Sequence, residues 1–123
     1  MTWELKNDRP IFKQLVEHIQ LMIVSGAYKP GDKLPSVRDL AAEAAVNPNT
    51  MQKALADLEQ SGLVFAQRTS GRYITEDEGM ITGLKTELAT QLIAEFLERM
   101  GQIGLSKDQT IELMTKTGEE NGR

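Results

Sequence analysis

The sequence contains no cysteine. A disulfide scaffold, a thiol nucleophile and a thiolate metal site are therefore excluded. Histidine occurs once, as His18, so paired imidazoles cannot ligate a metal or form a nucleophile–base couple. No uninterrupted apolar run approaches the roughly 20 residues that span a bilayer. The opening residues, MTWELKNDRP, lack the apolar stretch of a signal peptide. Together these absences predict a cytoplasmic, non-membrane chain that is not an enzyme and takes no cofactor or metal. Repeats and low-complexity segments are also missing.

What is present suits one compact domain with a small appendage. Hydrophobic residues make up 40% and charged residues 26% of the 123, as in an ordinary globular protein. The formal net charge is -4, which at first speaks against nucleic acid. Its distribution says otherwise. Residues 1–75 carry nine Lys and Arg against eight Asp and Glu, whereas 76–123 carry five against ten. The acidity lies mostly in the C-terminal part, leaving the first part able to form a local basic patch.

The most informative stretch is Leu34–Val64. Ser36-Val37-Arg38-Asp39 matches a capping box, and Val37, Leu40 and Ala41 give the inner face of a short helix. Asn47 precedes proline, which biases it towards the extended conformation of an N-cap, and Pro48 suits the first helical position. Met51, Ala54, Leu55 and Leu58 then form an inward stripe, with Gly62 as the stop. Asn49, Thr50, Gln52 and Lys53 are left outside on the first turns. Asn and Gln pair bidentately with adenine, Thr touches a thymine methyl, and Lys or Arg reads guanine or holds phosphate. Two short helices with such an outer face predict a helix-turn-helix with its recognition helix over about 48–60.

The flanks agree. Pro10 opens a first helix whose stripe is Ile11, Leu15, Ile19, Met22 and Ile23, widened by Phe12 and Val16, and Gly26 ends it. Trp3-Glu4-Leu5 reads as a short strand or an anchoring arm. Tyr28–Asp32 is a turn-rich connector. Leu63–Ala66 and Tyr73–Thr75 read as strands joined by a loop over 67–72, which makes a wing after the recognition helix. Arg68 and Arg72 are candidate phosphate contacts, with Ser70 and Gly71 at the tip; Lys33 is a weaker candidate. Asp39, Glu43, Asp57 and Glu59 would repel phosphate and are expected to face away. His18 is expected to be structural. Glu76-Asp77-Glu78 reads as a solvated linker.

From Gly79 a helix of about twenty residues is expected, ending near Gly101. Ile81, Leu84, Leu88, Leu92, Phe96 and Met100 line its apolar face, broadened by Ile93 and Leu97. Ser106–Gln109 caps a second helix carrying Ile111, Leu113 and Met114, and the last residues, TGEENGR, read as frayed. The face is wide and the terminal helix too short to cover it, which predicts a homodimer. A two-fold pair presents its recognition helices about 34 Å apart, one turn of DNA. The fold class is therefore mainly α with a small β-hairpin. A winged helix-turn-helix domain over 1–75 is followed by a two-helix dimerisation segment over 76–123.

The sequence also resembles the GntR family of bacterial transcription regulators. The resemblance rests on Pro10-Ile11 with Gln14, on Gly26 with Tyr28–Ser36, on Arg38, Leu40-Ala41, Val46-Asn47, Thr50, Ala54-Leu55 and Leu58, and on Gly62–Val64, Gly71, Tyr73 and Ile74. The Asn-Pro-Asn-Thr start and the two-helix tail resemble the YtrA-like branch. This resemblance implies a double-stranded DNA operator of two-fold symmetry, repression, and a target in the chain's own operon. It implies phosphate and base contacts for Ser36 and Arg38, recognition-helix contacts for Asn47, Asn49, Thr50, Gln52 and Lys53, and a minor-groove wing tip around Gly71. Whether a small-molecule effector binds is unknown: the 48 residues after the wing are assigned to dimerisation and leave no room for a dedicated ligand domain, so a pocket would have to lie at the dimer interface. Two positions depart from the family pattern: Thr69 and Ala45 stand where glycine is common. The alternative to DNA binding is a winged-helix protein-interaction module.

Overall fold

The structure, a computed structural model, describes residues 3–120. Residues 1–2 and 121–123, the latter within the expected frayed end, lie outside the described residues. Seven elements follow in order: α1 (Ile11–Val24), α2 (Val37–Ala44), α3 (Pro48–Ser61), β1 (Val64–Gln67), β2 (Gly71–Ile74), α4 (Glu78–Gln102) and α5 (Lys107–Glu120). The expected mainly-α fold with a small hairpin is what forms. The described residues fall into two compact units, one reaching Leu84 and the other starting at Lys85.

In the first unit, α3 packs on α1, α2 and β1. The inner stripes supply the core: Leu15 and Ile19 of α1, Leu40 of α2, Met51, Leu55 and Leu58 of α3, and Val64 and Ile74 of the hairpin are all fully buried. The helices begin where side chains can satisfy free amide donors. The Ser36 oxygen accepts from the Asp39 N–H at 3.1 Å, and the Asn47 Oδ1 accepts from the Asn49 N–H at 2.7 Å. Pro48 takes the first position of α3, and Gly62 ends it at φ 89°. That positive φ is what calls for glycine; a side chain there would also meet the Met80 Cε at 3.3 Å, the flexible end of a side chain that can give way.

Trp3-Glu4-Leu5 is an arm, not a strand: Trp3 and Leu5 pack against the core. Gln14, almost fully buried, secures this arm. Its Oε1 accepts from the Lys6 N–H at 2.7 Å, and its Nε2 donates to the carbonyls of Lys6 and Arg9 at 2.7 and 3.0 Å. A buried amide that satisfies three backbone groups explains a polar residue on an otherwise apolar helix face.

The α2–α3 turn places Ala45 at φ 56°, ψ 47°. It is the sole non-glycine residue with positive φ among the described residues. Thr69, the other departure, carries no such strain. Replacing Ala45 with glycine relieves the Cβ–carbonyl crowding but loosens the unfolded chain, so a net gain of about 0.5–1 kcal/mol is expected. Urea unfolding checks it; an unchanged or lower midpoint would show that the turn is unstrained.

The hairpin is longer than its sequence suggests. Pairing extends to Gln67↔Gly71, leaving only residues 68–70 as the loop instead of 67–72. The Ser70 N–H closes this turn on the Gln67 carbonyl at 3.2 Å, and Gly71 absorbs the reversal at φ 113°. The connector adds a short third edge: Lys33 bridges Tyr73, and the Leu34 N–H donates to the Arg72 carbonyl at 2.8 Å.

Helix α4 starts one residue early and runs longer than expected, because Asp77 caps it: its Oδ1 accepts from the Met80 N–H at 3.0 Å. Asp77 is thus a cap and not a plain solvated linker residue. Ile81 and Leu84, expected on the dimerisation face, instead pack partly buried against the core of the first unit. In the second unit, Ser106 and Gln109 form a reciprocal capping box at 2.9 and 3.1 Å, and α5 remains helical as far as Glu120 rather than fraying from Thr117.

Candidate nucleic-acid interface

The outer face of α3 follows from its inner one. With Met51, Ala54, Leu55 and Leu58 buried, a 100° step per residue turns Asn49, Gln52 and Lys53 outward, and all three are exposed. Thr50 is half-buried, at the edge of the face. Asn47 is exposed; its amide oxygen accepts the cap bond, and its NH2 group is free for a partner. The Lys53 ammonium sits 4.1 Å from the centre of the Phe12 ring on α1. That cation–π contact restrains a side chain that would otherwise sweep through solvent. Nothing in the local sequence signals it, because the two residues meet only after α1 and α3 pack.

Beside α3 the start of α2 faces the wing across a groove of about 800 Å³. Ser36 and Arg38 line one side, Ser70, Gly71 and Arg72 the other, with Lys33 between. Five expected site residues from two segments are thus brought together. Arg38 is exposed and makes no ion pair among the described residues. Ser36 spends one of its two oxygen lone pairs on the cap and retains its O–H as a donor. Asp39 also lines the groove, although the sequence reading turns it away from phosphate. It occupies the third position of α2, where the free amides of the helix start favour a carboxylate.

Arg68 is exposed on the hairpin turn. Ser70 is held by the Tyr73 hydroxyl, which donates to its Oγ at 3.0 Å, while the Tyr73 ring stacks on Phe65 with centroids 5.8 Å apart. Arg72 differs from Arg68: its Nε lies 3.4 Å from Glu59 Oε1. Glu59 therefore faces the wing, where the sequence reading has it facing away.

On a different part of the unit, the Trp3 ring stacks on His18 with centroids 3.9 Å apart, and the Trp3 indole N–H donates to Glu43 at 3.4 Å. Among the described residues, His18 Nε2 is buried without a hydrogen-bond partner. Desolvation lowers the His18 pKa below 6.5, outweighing the Glu43 carboxylate that pulls the other way. Burial, aided by Glu43, raises that of Tyr28. The folded state thus binds fewer protons at His18 than the unfolded chain does. Its contribution to stability is complete above the unfolded value and is lost as pH falls through the folded one. Urea midpoints measured from pH 8 to 5 should fall less for His18→Gln than for the parent. Parallel curves would remove His18 from the pH dependence.

Among the described residues no three His, Asp or Glu side chains converge to hold a metal ion, and no helix is long and apolar enough to cross a membrane.

Comparison with known proteins gives a consistent result. Residues 12–74 match the family described as bacterial regulatory proteins, gntR family. The helix-turn-helix transcriptional regulator YhcF of Bacillus subtilis is 34% identical over 119 residues, covering 97% of this chain and 98% of its own. The helix-turn-helix transcriptional repressor YtrA of the same organism is 38% identical over 94 residues, 72% of each chain. A solved GntR family transcriptional regulator from Listeria monocytogenes superposes with a TM-score of 0.84 at 40% identity, over 91% of this chain and 98% of its own.

Proposed function

The chain belongs to the gntR family of bacterial regulatory proteins, in its YtrA-like branch, and is a DNA-binding transcriptional regulator; from that premise we propose that it represses transcription as a homodimer on a two-fold operator. Residues 1–75 serve as the DNA-binding domain and 76–123 as the dimerisation segment. A chromosomal operator puts the protein in the cytoplasm. The observation that carries the reading is the polar outer face of α3, set beside a groove that gathers Lys33, Arg38 and the wing. Similarity to a relative named as a repressor supports repression over activation.

In this reading α3 enters the major groove. Asn49 and Gln52 face base edges, Thr50 and the Asn47 amide group lie at the margin, and Lys53 reaches a base or phosphate. Ser36 and Arg38 take the backbone at the start of α2, and Arg68, Ser70 and Gly71 follow the adjacent minor groove. Phosphate neutralisation releases counterions, so affinity should fall steeply with salt.

Gel shifts on duplexes selected from a random pool test the assignment. Asn49→Ala should cost about 1–3 kcal/mol on the selected site and relax the preference at one position of each half-site. Arg68→Ala should weaken selected and random duplexes alike and flatten the salt slope by about 1. Parent-like binding by both variants would overturn the assignment of these residues, whereas salt-insensitive binding, or none to any duplex, would favour a protein-interaction module.

A further inference from the structure

Arg72 does not behave as a surface cation. Its side chain is only 20% exposed, and that of its neighbour Glu59 only 28%. The Arg72 Nε is shielded from solvent and makes no aligned hydrogen bond among the described residues, so the 3.4 Å approach to Glu59 is a coulombic contact rather than a bidentate fork. Glu59 stands near the end of α3, and Arg72 on the second strand of the wing, opposite Ala66. The pair therefore ties the wing to the helix proposed to read bases. Around it the strand is anchored to the connector, through the Arg72 carbonyl and Leu34 N–H and through the Lys33–Tyr73 bridge. The hairpin turn carrying Arg68 and Ser70 lies beyond these anchors.

We infer that Arg72 is a positioning residue and not a phosphate contact: its ion pair with Glu59 fixes the wing against α3, so that Arg68 and Ser70 meet DNA in register with Asn49 and Lys53. The inference rests on the reading in which α3 and the wing both bind DNA. Its distinctive consequence is a sign. Near a polyanion, deleting a carboxylate ordinarily strengthens binding. If Glu59 holds the wing, deleting it weakens binding instead.

The test is duplex affinity against salt for Glu59→Gln, Arg72→Gln, Arg72→Lys and, as comparator, Arg68→Gln. Thermal midpoints serve as folding controls, and amide exchange at Ser70 is followed in the DNA-free protein. Glu59→Gln and Arg72→Gln should each weaken binding about threefold, within the range of a partly exposed pair, with the parent's salt slope. Both should speed Ser70 exchange, and combining them should add little, because one interaction is lost in either case. Arg72→Lys should recover part of the loss. Arg68→Gln should lower the slope by about 1. Tighter binding by Glu59→Gln, or a slope lowered by Arg72→Gln as by Arg68→Gln, would make Arg72 a phosphate contact and overturn the inference. Parent-like binding and exchange in both pair variants would overturn it as well. If exchange quickens while every wing variant, Arg68→Gln included, binds like the parent, the inference fails with the wing's placement on DNA, and the tie itself is only structural.

Discussion

The double variant Leu92→Glu, Phe96→Glu is expected to sediment as a folded monomer and to lose operator affinity by about a hundredfold or more. Leu92 is 63% and Phe96 40% exposed on α4, with Ile93 exposed between them. Ile103, Ile111, Leu113 and Met114 add to the exposed apolar surface of the second unit. Side chains so open bury little within one chain, so charging them costs that chain little. In a pair of chains the same positions would be covered. Four carboxylates would then be taken out of water without partners, at several kcal/mol. A monomer occupies one half-site at a time and forfeits the second, already tethered, binding event. Sedimentation, circular dichroism and gel shift on one preparation separate the outcomes. A variant that stays dimeric would place the interface elsewhere. A monomer that binds as tightly as the parent would mean that the operator is a single site.

Leu55→Ala is expected to cost about 3 kcal/mol, within the 2–5 kcal/mol range for emptying a fully buried leucine site. Leu55 is fully buried on the inner stripe of α3, the helix that packs on α1, α2 and β1 at once. Its cavity would open at the junction of these elements, where collapse of one neighbour is resisted by the others. For a domain of this size the loss corresponds to roughly 10–20 °C in the thermal midpoint. Gln52→Ala, three residues earlier on the outer face, should stay within about 0.5 kcal/mol of the parent. Thermal scans at one fixed protein concentration make the comparison fair, since dimerisation would make the midpoint concentration-dependent. A drop under 1 kcal/mol for Leu55→Ala would mean that the site repacks, and that α3 is held more loosely than its burial indicates.

The two predictions divide as the molecule does. The inner stripe of α3, the caps at Ser36 and Asn47, the stop at Gly62 and the box at Ser106–Gln109 are all legible along the chain. Each depends on residues within about four positions of one another, where helix geometry sets the distances. The outward aim of Asn49, Gln52 and Lys53 follows from the same arithmetic. So does the presence of a hairpin, although its length does not: Gly71 at φ 113° lets the ladder run on to Gln67, and the strand residues alone do not reveal that.

What lies between elements was decided by packing. Leu92 and Phe96 stay open, while Ile81 and Leu84 on the same periodic stripe pack against the core, a difference that the period cannot express. Arg68 and Arg72 flank one turn and look alike in sequence. Only the position of Glu59, thirteen residues before Arg72 on another element, separates an exposed cation from a paired one. Lys53 over Phe12, Trp3 on His18, Gln14 bonded to the arm and Asp39 on the groove wall belong to the same class. Sequence by itself determined the helices, their caps and the side chains available to DNA, because backbone periodicity and short-range hydrogen bonding are local. Tertiary structure alone decided which long or polar side chains are free to use that chemistry, because their partners are brought near only when the elements close on one core.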